Sequence, residues 1–269
     1  MRMPTTTYRT DHAALPQRPV LRAGQVDVWV VPLDEPPARI ERLRRTLSPD
    51  EVARSETFRF PEGRDSFIVA RGTLRAALGR YLQSDPKSLR FTYSKHGKPA
   101  LHAACGGGAL RFNVSHSHRL ALLAVTRERE IGVDLEVVRS DLDGEALARA
   151  FFSEREVEAL LRINPEQRSE AFYRCWTCKE AYLKAIGQGL SVPLKQFSVA
   201  VDPNAPAALL KTPTLPASPA SFTIHVLATA SGYAAALALE GHPERIRILG
   251  AANRPSGNET FPHRMDTLR

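Results

Sequence analysis

Apolar and polar side chains alternate in two well-separated segments of the chain. The segments are VDVWV at 26–30 and IGVDL at 131–135. Alternate side chains of a strand lie on the same face, so this period of two indicates strands with one buried face. Further runs of this kind predict strands at 89–93, 111–114, 120–126, 197–201, 222–227 and 233–239.

A short helix and then a long helix are predicted after each of these two strands. Ser48 with Glu51, and Ser153 with Glu156, have the spacing of a capping box, in which both side chains satisfy backbone N–H groups at the start of a helix. The long helices are predicted near 64–82 and 168–187. The second ends at a glycine, as helices often do. This mixture of strands and helices predicts an α+β fold.

The chain resembles itself weakly at an offset of 104–105 residues. VDVWVVPL aligns with IGVDLEVV, SPDEV with SEREV, and RGTLRAAL with WTCKEAYL, in the same order. We interpret this as an internal duplication that gives two similar α+β halves related by a pseudo-two-fold axis. The predicted divisions are a flexible N-terminal segment at 1–20, an N-terminal half at 21–125, a C-terminal half at 126–242 and a flexible tail at 243–269.

The charge of the chain is strongly basic. Its 269 residues include 37 basic and 29 acidic side chains, a formal net charge of +8, which favours phosphates, nucleic acid or an acidic protein as partners. The arginines are scattered, and no basic–aromatic stripe indicates a nucleic-acid surface. No run of about 18 apolar residues predicts a membrane span, and residues 1–20 lack the apolar region of a signal peptide. We therefore expect a cytoplasmic protein.

Cysteines are few, and two of them form a C-x-x-C pair. Cys175 and Cys178 lie within the second long helix. A zinc or redox module is one interpretation, but the sequence has no second C-x-x-C. We expect both thiols to be buried as small apolar groups, and Phe172 and Trp176 on the same helix to belong to the core.

Acidic and basic side chains cluster in two motifs of the second half. Asp134 and Glu136 in GVDLE share one face of the predicted strand, and neighbouring carboxylates are favourable where a hard cation such as Mg²⁺ lies between them. A solvated strand edge gives the same pattern. Glu180 and Lys184 lie at i and i+4 on the long helix, a spacing equally typical of a surface ion pair. The corresponding helix of the first half lacks this acid–base pair.

Two motifs of the first half are candidate phosphate contacts. FNVSHS at 112–117 places Ser115 and His116 where a strand is predicted to end, and exposed backbone N–H groups there can hold phosphate oxygens. KHGKP at 95–99 is a basic turn. Either motif alone is also consistent with a structural turn.

FNVSHS, GVDLE and WTCKEAYLKAIGQGLSVPLKQFSV, in this order and spacing, closely resemble the 4′-phosphopantetheinyl transferases of the surfactin type. The resemblance is strong over residues 90–200 and looser over 26–240. It implies a pseudo-two-fold pair of α+β halves in one chain. It also implies a reaction in which a serine hydroxyl of a carrier protein attacks the β-phosphate of coenzyme A. The phosphopantetheine arm is then transferred and 3′,5′-ADP leaves, with Mg²⁺ as cofactor.

The resemblance implies roles for individual residues. Asp134, Glu136 and Glu180 match the Mg²⁺ ligands, and Glu180 also matches the general base for the serine hydroxyl. Lys184 matches a residue that stabilises the pyrophosphate. The implied contacts to the nucleotide and its phosphates are Ser115, His116, Gly97, Lys98 and Pro99.

The chain departs from the family pattern at two points. Ser66 stands where family members commonly carry a basic residue, so we expect Arg64, Arg71 or Arg75 to contact the phosphate instead. His118 replaces a glycine, and we expect it to face solvent.

These residues together predict a monomeric, Mg²⁺-dependent phosphopantetheinyl transferase that uses coenzyme A. Its basic surface would attract an acidic acyl or peptidyl carrier protein, docked beside Glu180 near the cleft between the halves. Two alternatives are another Mg²⁺-dependent phosphoryl-transfer enzyme, such as a nuclease, and a basic nucleic-acid-binding protein. A transferase needs coenzyme A and an apo-carrier, whereas a nuclease needs neither.

Overall fold

The computed structural model describes residues 9–11, 19–105, 109–210 and 222–250. Its helices are α1 (Pro37–Arg44), α2 (Pro49–Ser55), α3 (Pro61–Leu82), α4 (Gly144–Phe151), α5 (Glu154–Leu161) and α6 (Arg168–Ile186). Its strands are β1 (Arg9–Asp11), β2 (Gln25–Pro32), β3 (Phe91–Tyr93), β4 (Pro99–Leu101), β5 (Leu110–Ser117), β6 (Leu120–Arg127), β7 (Ile131–Val137), β8 (Ser198–Val199), β9 (Leu209–Leu210), β10 (Phe222–Val226), β11 (Tyr233–Glu240) and β12 (Arg245–Leu249). The predicted α+β class is confirmed.

Both capping boxes and both long helices form as predicted. Ser48–Glu51 begins α2 and Ser153–Glu156 begins α5. The long helices are α3 and α6, and α6 ends at Gly187 with φ +68°. Glycine adopts this left-handed conformation without steric cost. The strand predictions at 89–93 and 197–201 are too long, because only β3 and β8 form there. Helices α1 and α4 were not predicted.

Two larger sheets organise the described residues. The first has the strand order β1-β12-β2-β6-β5, and the second has the order β10-β11-β7. Strands β2, β6 and β5 pair antiparallel, whereas β12 pairs parallel to both β1 and β2. Because β12 follows β11 in the chain, the last described strand returns from the second sheet to the middle of the first.

Among the described residues, apolar side chains form three cores in successive layers. Helix α3 packs on one face of the first sheet, in the core that includes Trp29 and Leu123. Helix α6 packs on one face of the second sheet, in the core that includes Ala236 and Tyr182. The third core joins the remaining faces of the two sheets, and its members include Val28 of β2. The layers therefore run helix, sheet, sheet, helix.

The predicted flexible tail at 243–269 is wrong for residues 245–249, which form β12. Ile246 and Ile248 are buried in the core between the sheets. Arg247 donates through Nε and Nη2 to the buried carboxylate of Asp27, both at 2.7 Å. Residues 251–269 lie outside the described residues, as does most of the N-terminal segment predicted at 1–20, of which residues 9–11 form β1.

No helix in the described part of the chain is both long and apolar enough to cross a membrane.

Candidate active site

The candidate site lies where α6 crosses β7, and a glycine makes this crossing possible. A Cβ atom at Gly132 of β7 would collide with the carbonyl oxygen of Ala181 and the backbone of Ala185 on α6. Helix backbone therefore approaches strand backbone directly at this residue. The side chains that follow on the same face of β7, Asp134 and Glu136, consequently lie beside α6.

The alternation along β7 places apolar side chains in the core and acidic side chains on the opposite face of the strand, as predicted. Val133 and Leu135 are fully buried in the core between the two sheets. Asp134 and Glu136 project from the opposite face, in register with Ala236 and Ala234 of β11. Small alanine side chains opposite the two carboxylates leave room around them.

Asp134 is buried, with 3% of its surface exposed, and forms an ion pair with a lysine of α6. Lys184 Nζ lies 2.6 Å from Asp134 Oδ1, and Ser115 Oγ donates to the same oxygen at 3.0 Å. Lys184 Nζ also donates to Ser115 Oγ at 2.9 Å. The i, i+4 spacing suggested a surface pair between Glu180 and Lys184. In the structure Lys184 pairs with Asp134 instead.

Glu180 and Glu136 both resist ionisation. Burial, followed by the nearby Asp134 charge, raises the pKa of Glu180 to about 7. The same two causes raise the pKa of Glu136 to about 7. Ser117 Oγ donates to Glu136 Oε2 at 3.0 Å and partly opposes this shift. Three carboxyl groups are thus held together at the cost of mutual repulsion.

The donor chemistry of this cluster fits a hard divalent cation. Asp134 Oδ2 and Glu180 Oε1 are buried and, among the described residues, have no hydrogen-bond partner. Buried polar atoms are normally satisfied, and carboxylate oxygens are the ligands that Mg²⁺ prefers. Within the described ranges, however, no three His, Cys, Asp or Glu side chains stand in an arrangement that could hold a metal ion. A metal ion shared by all three carboxylates would therefore require at least one of these side chains to turn.

The predicted end of a strand at residue 114 is wrong. Strand β5 continues to Ser117, and Ser115 and His116 pair with Leu122 and Ala121 of β6. The two residues therefore belong to a ladder rather than to an exposed strand end. The Ser115 hydroxyl is committed to Asp134 and Lys184. His116 is exposed, and partial desolvation followed by the Lys184 charge lowers its pKa.

The KHGKP turn connects β3 to β4, and its second lysine contacts the C-terminal half. Lys98 Nζ donates to Glu130 Oε2 and to the Ala185 carbonyl of α6, both at 2.9 Å. These bonds occupy the ammonium predicted to contact phosphate. Gly97 has φ +80° and open space around it, and Pro99 begins β4.

The arginines expected to replace a basic residue at Ser66 differ in their surroundings. Arg75 is buried and donates to Glu51 and to backbone carbonyls, so the expectation that it contacts phosphate is wrong. Arg71 donates to Glu51 and, at 2.8 Å, to the Tyr93 hydroxyl. Arg64 pairs with Asp65 at 3.0 Å and lines a groove of about 420 Å³ beside α1.

The C-x-x-C pair is buried, as predicted. Cys175 and Cys178 are fully buried free thiols, and burial raises the pKa of both. Phe172 is buried, and Trp176 packs against the same core. His118 is exposed at the β5–β6 turn with φ +51°, a conformation that favours the glycine it replaces.

Sequence reasoning missed three features, two in the site and one beside it on α6. The first is the close approach at Gly132. The second is Ser117, whose hydroxyl contacts Glu136. The third is the buried pair of Lys179 with Glu156, in which Lys179 Nζ lies 2.7 Å from both carboxylate oxygens and 2.6 Å from the Phe197 carbonyl. The capping box predicted the bond between Glu156 and Ser153, but not the pairing of Glu156 with Lys179, which is 23 residues away in sequence.

Known proteins resemble both halves of the chain. Residues 130–238 match the family model described as the 4′-phosphopantetheinyl transferase superfamily. Residues 36–128 match the model described as 4′-phosphopantetheinyl transferase, N-terminal.

Two curated relatives and one solved structure illustrate the similarity. The chain is 45% identical over 204 residues to 4′-phosphopantetheinyl transferase HetI from Nostoc sp., covering 75% of this chain and 86% of the relative. It is 31% identical over 160 residues to 4′-phosphopantetheinyl transferase Sfp from Bacillus subtilis, covering 59% and 68%. A crystal structure of holo-[acyl-carrier-protein] synthase from Thermotoga maritima matches at 22% identity and a TM-score of 0.32, over 42% of this chain and 63% of the other. That superposition is too loose to support an argument.

The sequence relatives cover most of the chain and carry one family description. The resemblance drawn from FNVSHS, GVDLE and WTCKEAYLKAIG is therefore confirmed, and the chain belongs to the 4′-phosphopantetheinyl transferase family.

Proposed function

We propose that this protein transfers the 4′-phosphopantetheine arm of coenzyme A to a serine of an acyl or peptidyl carrier protein, releases 3′,5′-ADP and depends on Mg²⁺. The observation that carries the proposal is the buried carboxylate cluster on β7 and α6. Asp134 and Glu180 each have a buried oxygen without a hydrogen-bond partner among the described residues. Such a cluster is unfavourable by itself and becomes favourable when a cation and a polyanionic substrate share it.

Asp134, Glu136 and Glu180 are the proposed metal ligands. Bound Mg²⁺ would neutralise charge on the diphosphate of coenzyme A and orient it for in-line attack. The raised pKa values of Glu136 and Glu180, both about 7, mean that the metal-free cluster is partly protonated near neutral pH. Metal binding is therefore expected to release protons.

Glu180 is also the proposed general base. Its carboxylate would accept the proton of the carrier serine, directly or through a water molecule, as the serine oxygen bonds to the β-phosphorus. The bond from that phosphorus to the bridging oxygen breaks, and this oxygen leaves with 3′,5′-ADP. Lys184, now paired with Asp134, would stabilise the charge on the departing phosphate.

His116, Gly97 and Pro99 remain the proposed nucleotide contacts of the N-terminal half. Gly97 supports this role through the open space around it. Ser115 and Lys98 have protein partners instead, so each must exchange a bond if it is to contact phosphate. Arg64 and Arg71 stay as candidates for the phosphate, and the partial exposure of Arg64 favours it.

The partner that we propose is an acidic carrier protein. The net charge of +8 supports it, because opposite charge speeds diffusional encounter. The monomeric state and cytoplasmic location expected from the sequence stay predictions.

The internal duplication also stays a proposal. An ion pair that occurs at equivalent positions in both halves supports it. Glu51 of the first capping box is buried against Arg75 of α3, and Glu156 of the second is buried against Lys179 of α6. These pairs repeat at offsets of 105 and 104 residues, which agrees with the offset in the sequence.

Intact-protein mass spectrometry tests the proposed function. The full chain is mixed with apo-carrier protein and coenzyme A, in the presence of Mg²⁺ or of EDTA. We expect the carrier to gain the mass of one phosphopantetheine arm with Mg²⁺ only. An equal gain in EDTA would contradict the metal assignment. No gain across acyl and peptidyl carriers would contradict the activity, and phosphodiester cleavage without coenzyme A would favour the nuclease alternative.

A further inference from the structure

Side chains of β5 bond to the outer edge of β7 at three alternate positions. In place of a backbone ladder, three β7 amides each donate to one β5 side chain: Val133 N–H to Asn113 Oδ1 at 2.9 Å, Leu135 N–H to Ser115 Oγ at 3.3 Å and Val137 N–H to Ser117 Oγ at 3.1 Å. We call these three bonds the seam. The seam satisfies donors that an edge strand otherwise leaves unpaired, and it joins the five-stranded sheet to the three-stranded one.

Two of the three β5 side chains that form the seam also bond to a carboxylate of the cluster. Ser115 Oγ donates to Asp134 Oδ1 and Ser117 Oγ donates to Glu136 Oε2, both at 3.0 Å. Asn113 makes the same kind of seam bond, but the residue in the corresponding place on β7 is Gly132, which has no side chain. Ser115 and Ser117 therefore each bond to a β7 amide and to a carboxylate, whereas Asn113 bonds to a β7 amide and, among the described residues, to no carboxylate.

We propose that Ser117 is a positioning residue for the transfer reaction. A hydroxyl has one proton, and Ser117 gives it to Glu136 while its oxygen accepts from the backbone of Val137. The two bonds fix the Glu136 carboxylate relative to the strand that carries Asp134. A glutamate has three side-chain torsions, so a fixed carboxylate loses less entropy when it binds a cation. This proposal rests on the proposed metal role of Glu136.

Ser117 separates this role from other effects better than Ser115 does. The Ser115 hydroxyl also accepts from Lys184, which is itself placed in the proposed machinery. A change at Ser115 would therefore disturb the lysine and the carboxylate together. Ser117 is only partly buried, so a replacement of similar size fits there.

The experiment compares Ser117→Thr with Ser117→Val in the full chain. The two side chains have the same shape, but only threonine carries the hydroxyl, and both suit a strand. Mn²⁺ serves as the probe, and its dissociation constant is measured by electron paramagnetic resonance with coenzyme A present. The free energy of unfolding in urea is measured in parallel. Asn113→Ala is the matched control, because it removes a seam bond made by a side chain that, in the described part of the chain, does not bond to a carboxylate.

We expect Ser117→Val to weaken Mn²⁺ binding by about 10-fold or more, the usual effect of removing such an outer partner. Ser117→Thr should bind within about twofold of wild type. Asn113→Ala should lose stability but keep its affinity for Mn²⁺. Equal affinities of Ser117→Val and Ser117→Thr would overturn the positioning role while leaving the proposed function intact. Failure of the wild-type chain to bind Mn²⁺ would overturn both.

Discussion

Replacement of Glu180 by glutamine should abolish transfer and change how stability depends on pH. The pKa of Glu180 is raised from 4.5 to about 7 in the folded chain, first by burial and then by Asp134. A raised carboxyl pKa means that the folded state holds the proton more tightly than the unfolded state does. The stabilisation is thus fully present below pH 4.5 and is lost as pH rises to about 7.

The size of this effect follows from the shift. One pKa unit corresponds to 1.36 kcal/mol, which gives an upper value of about 3 kcal/mol for Glu180. Its partial contact with solvent reduces the expected effect to about 2–3 kcal/mol. Relative to wild type, metal-free Glu180→Gln should therefore become more stable by this amount between pH 5 and pH 8.

The assay is urea unfolding followed by circular dichroism, in EDTA at pH 5, 6, 7 and 8. The difference between the two proteins is the useful quantity, because burial also lowers the pKa of His225 to about 4. That shift makes stability rise with pH up to about 6.5 in both proteins. Glu170→Gln, at an exposed position in the first turn of the same helix, is the matched control.

Two results would refute this reasoning. One is a difference in unfolding free energy that stays constant from pH 5 to pH 8, because Glu180 would then not be desolvated in the folded chain. The other is a Glu180→Gln protein that transfers at a near-normal rate, since a metal ligand and the base would both be missing. Added Mg²⁺ should stabilise wild type more than the variant.

Four further substitutions test the surroundings of the site. Lys179→Met should cost about 3–5 kcal/mol in urea unfolding, because it leaves the Glu156 carboxylate buried without its cation; a loss below about 1 kcal/mol would contradict the buried pair. Gly132→Ala should cost about 3 kcal/mol and lower the transfer rate, since its Cβ displaces α6; unchanged stability would refute the close approach. Cys178→Ala should keep Mg²⁺-dependent transfer, whereas a large loss with zinc release would revive a metal module. His118→Gly should raise the unfolding free energy by about 0.5–1 kcal/mol by relieving a left-handed backbone; a decrease would argue that the imidazole is needed.

The proposed site is unfavourable for the stability of the metal-free chain. Burial places Asp134, Glu136 and Glu180 where their charges repel and where two carboxylate oxygens lack partners among the described residues. Elsewhere in the same layer, the buried carboxylate of Glu156 is fully bonded. This contrast within one helix–sheet layer supports the proposed role of the cluster, because perturbed pKa values and unpartnered buried carboxylate oxygens are more typical of functional sites than of structural ion pairs.

The sequence alone determined the features that depend on near neighbours. The alternation in β7 assigned Asp134 and Glu136 to one face because side chains of a strand alternate. The serine–glutamate spacing located the starts of α2 and α5 because a capping box closes within four residues. Motifs that resemble a family then indicated the chemistry, and the family is confirmed.

Only the tertiary structure decided the partners of these residues. Lys184 could have paired with Glu180 one turn away, but it pairs with Asp134, 50 residues away in sequence. The tail at 243–269 was predicted to be flexible because it is polar, contains proline and glycine and has no period, yet Arg247 of its strand β12 pairs with Asp27, 220 residues away in sequence. Such pairings depend on which surfaces the packed sheets bring together, and local periodicity contains no information about them. For this reason the sequence led to Asp134, Glu136 and Glu180 as candidate ligands, whereas the bonds from Ser115 and Ser117 to two of these carboxylates became visible only in the fold.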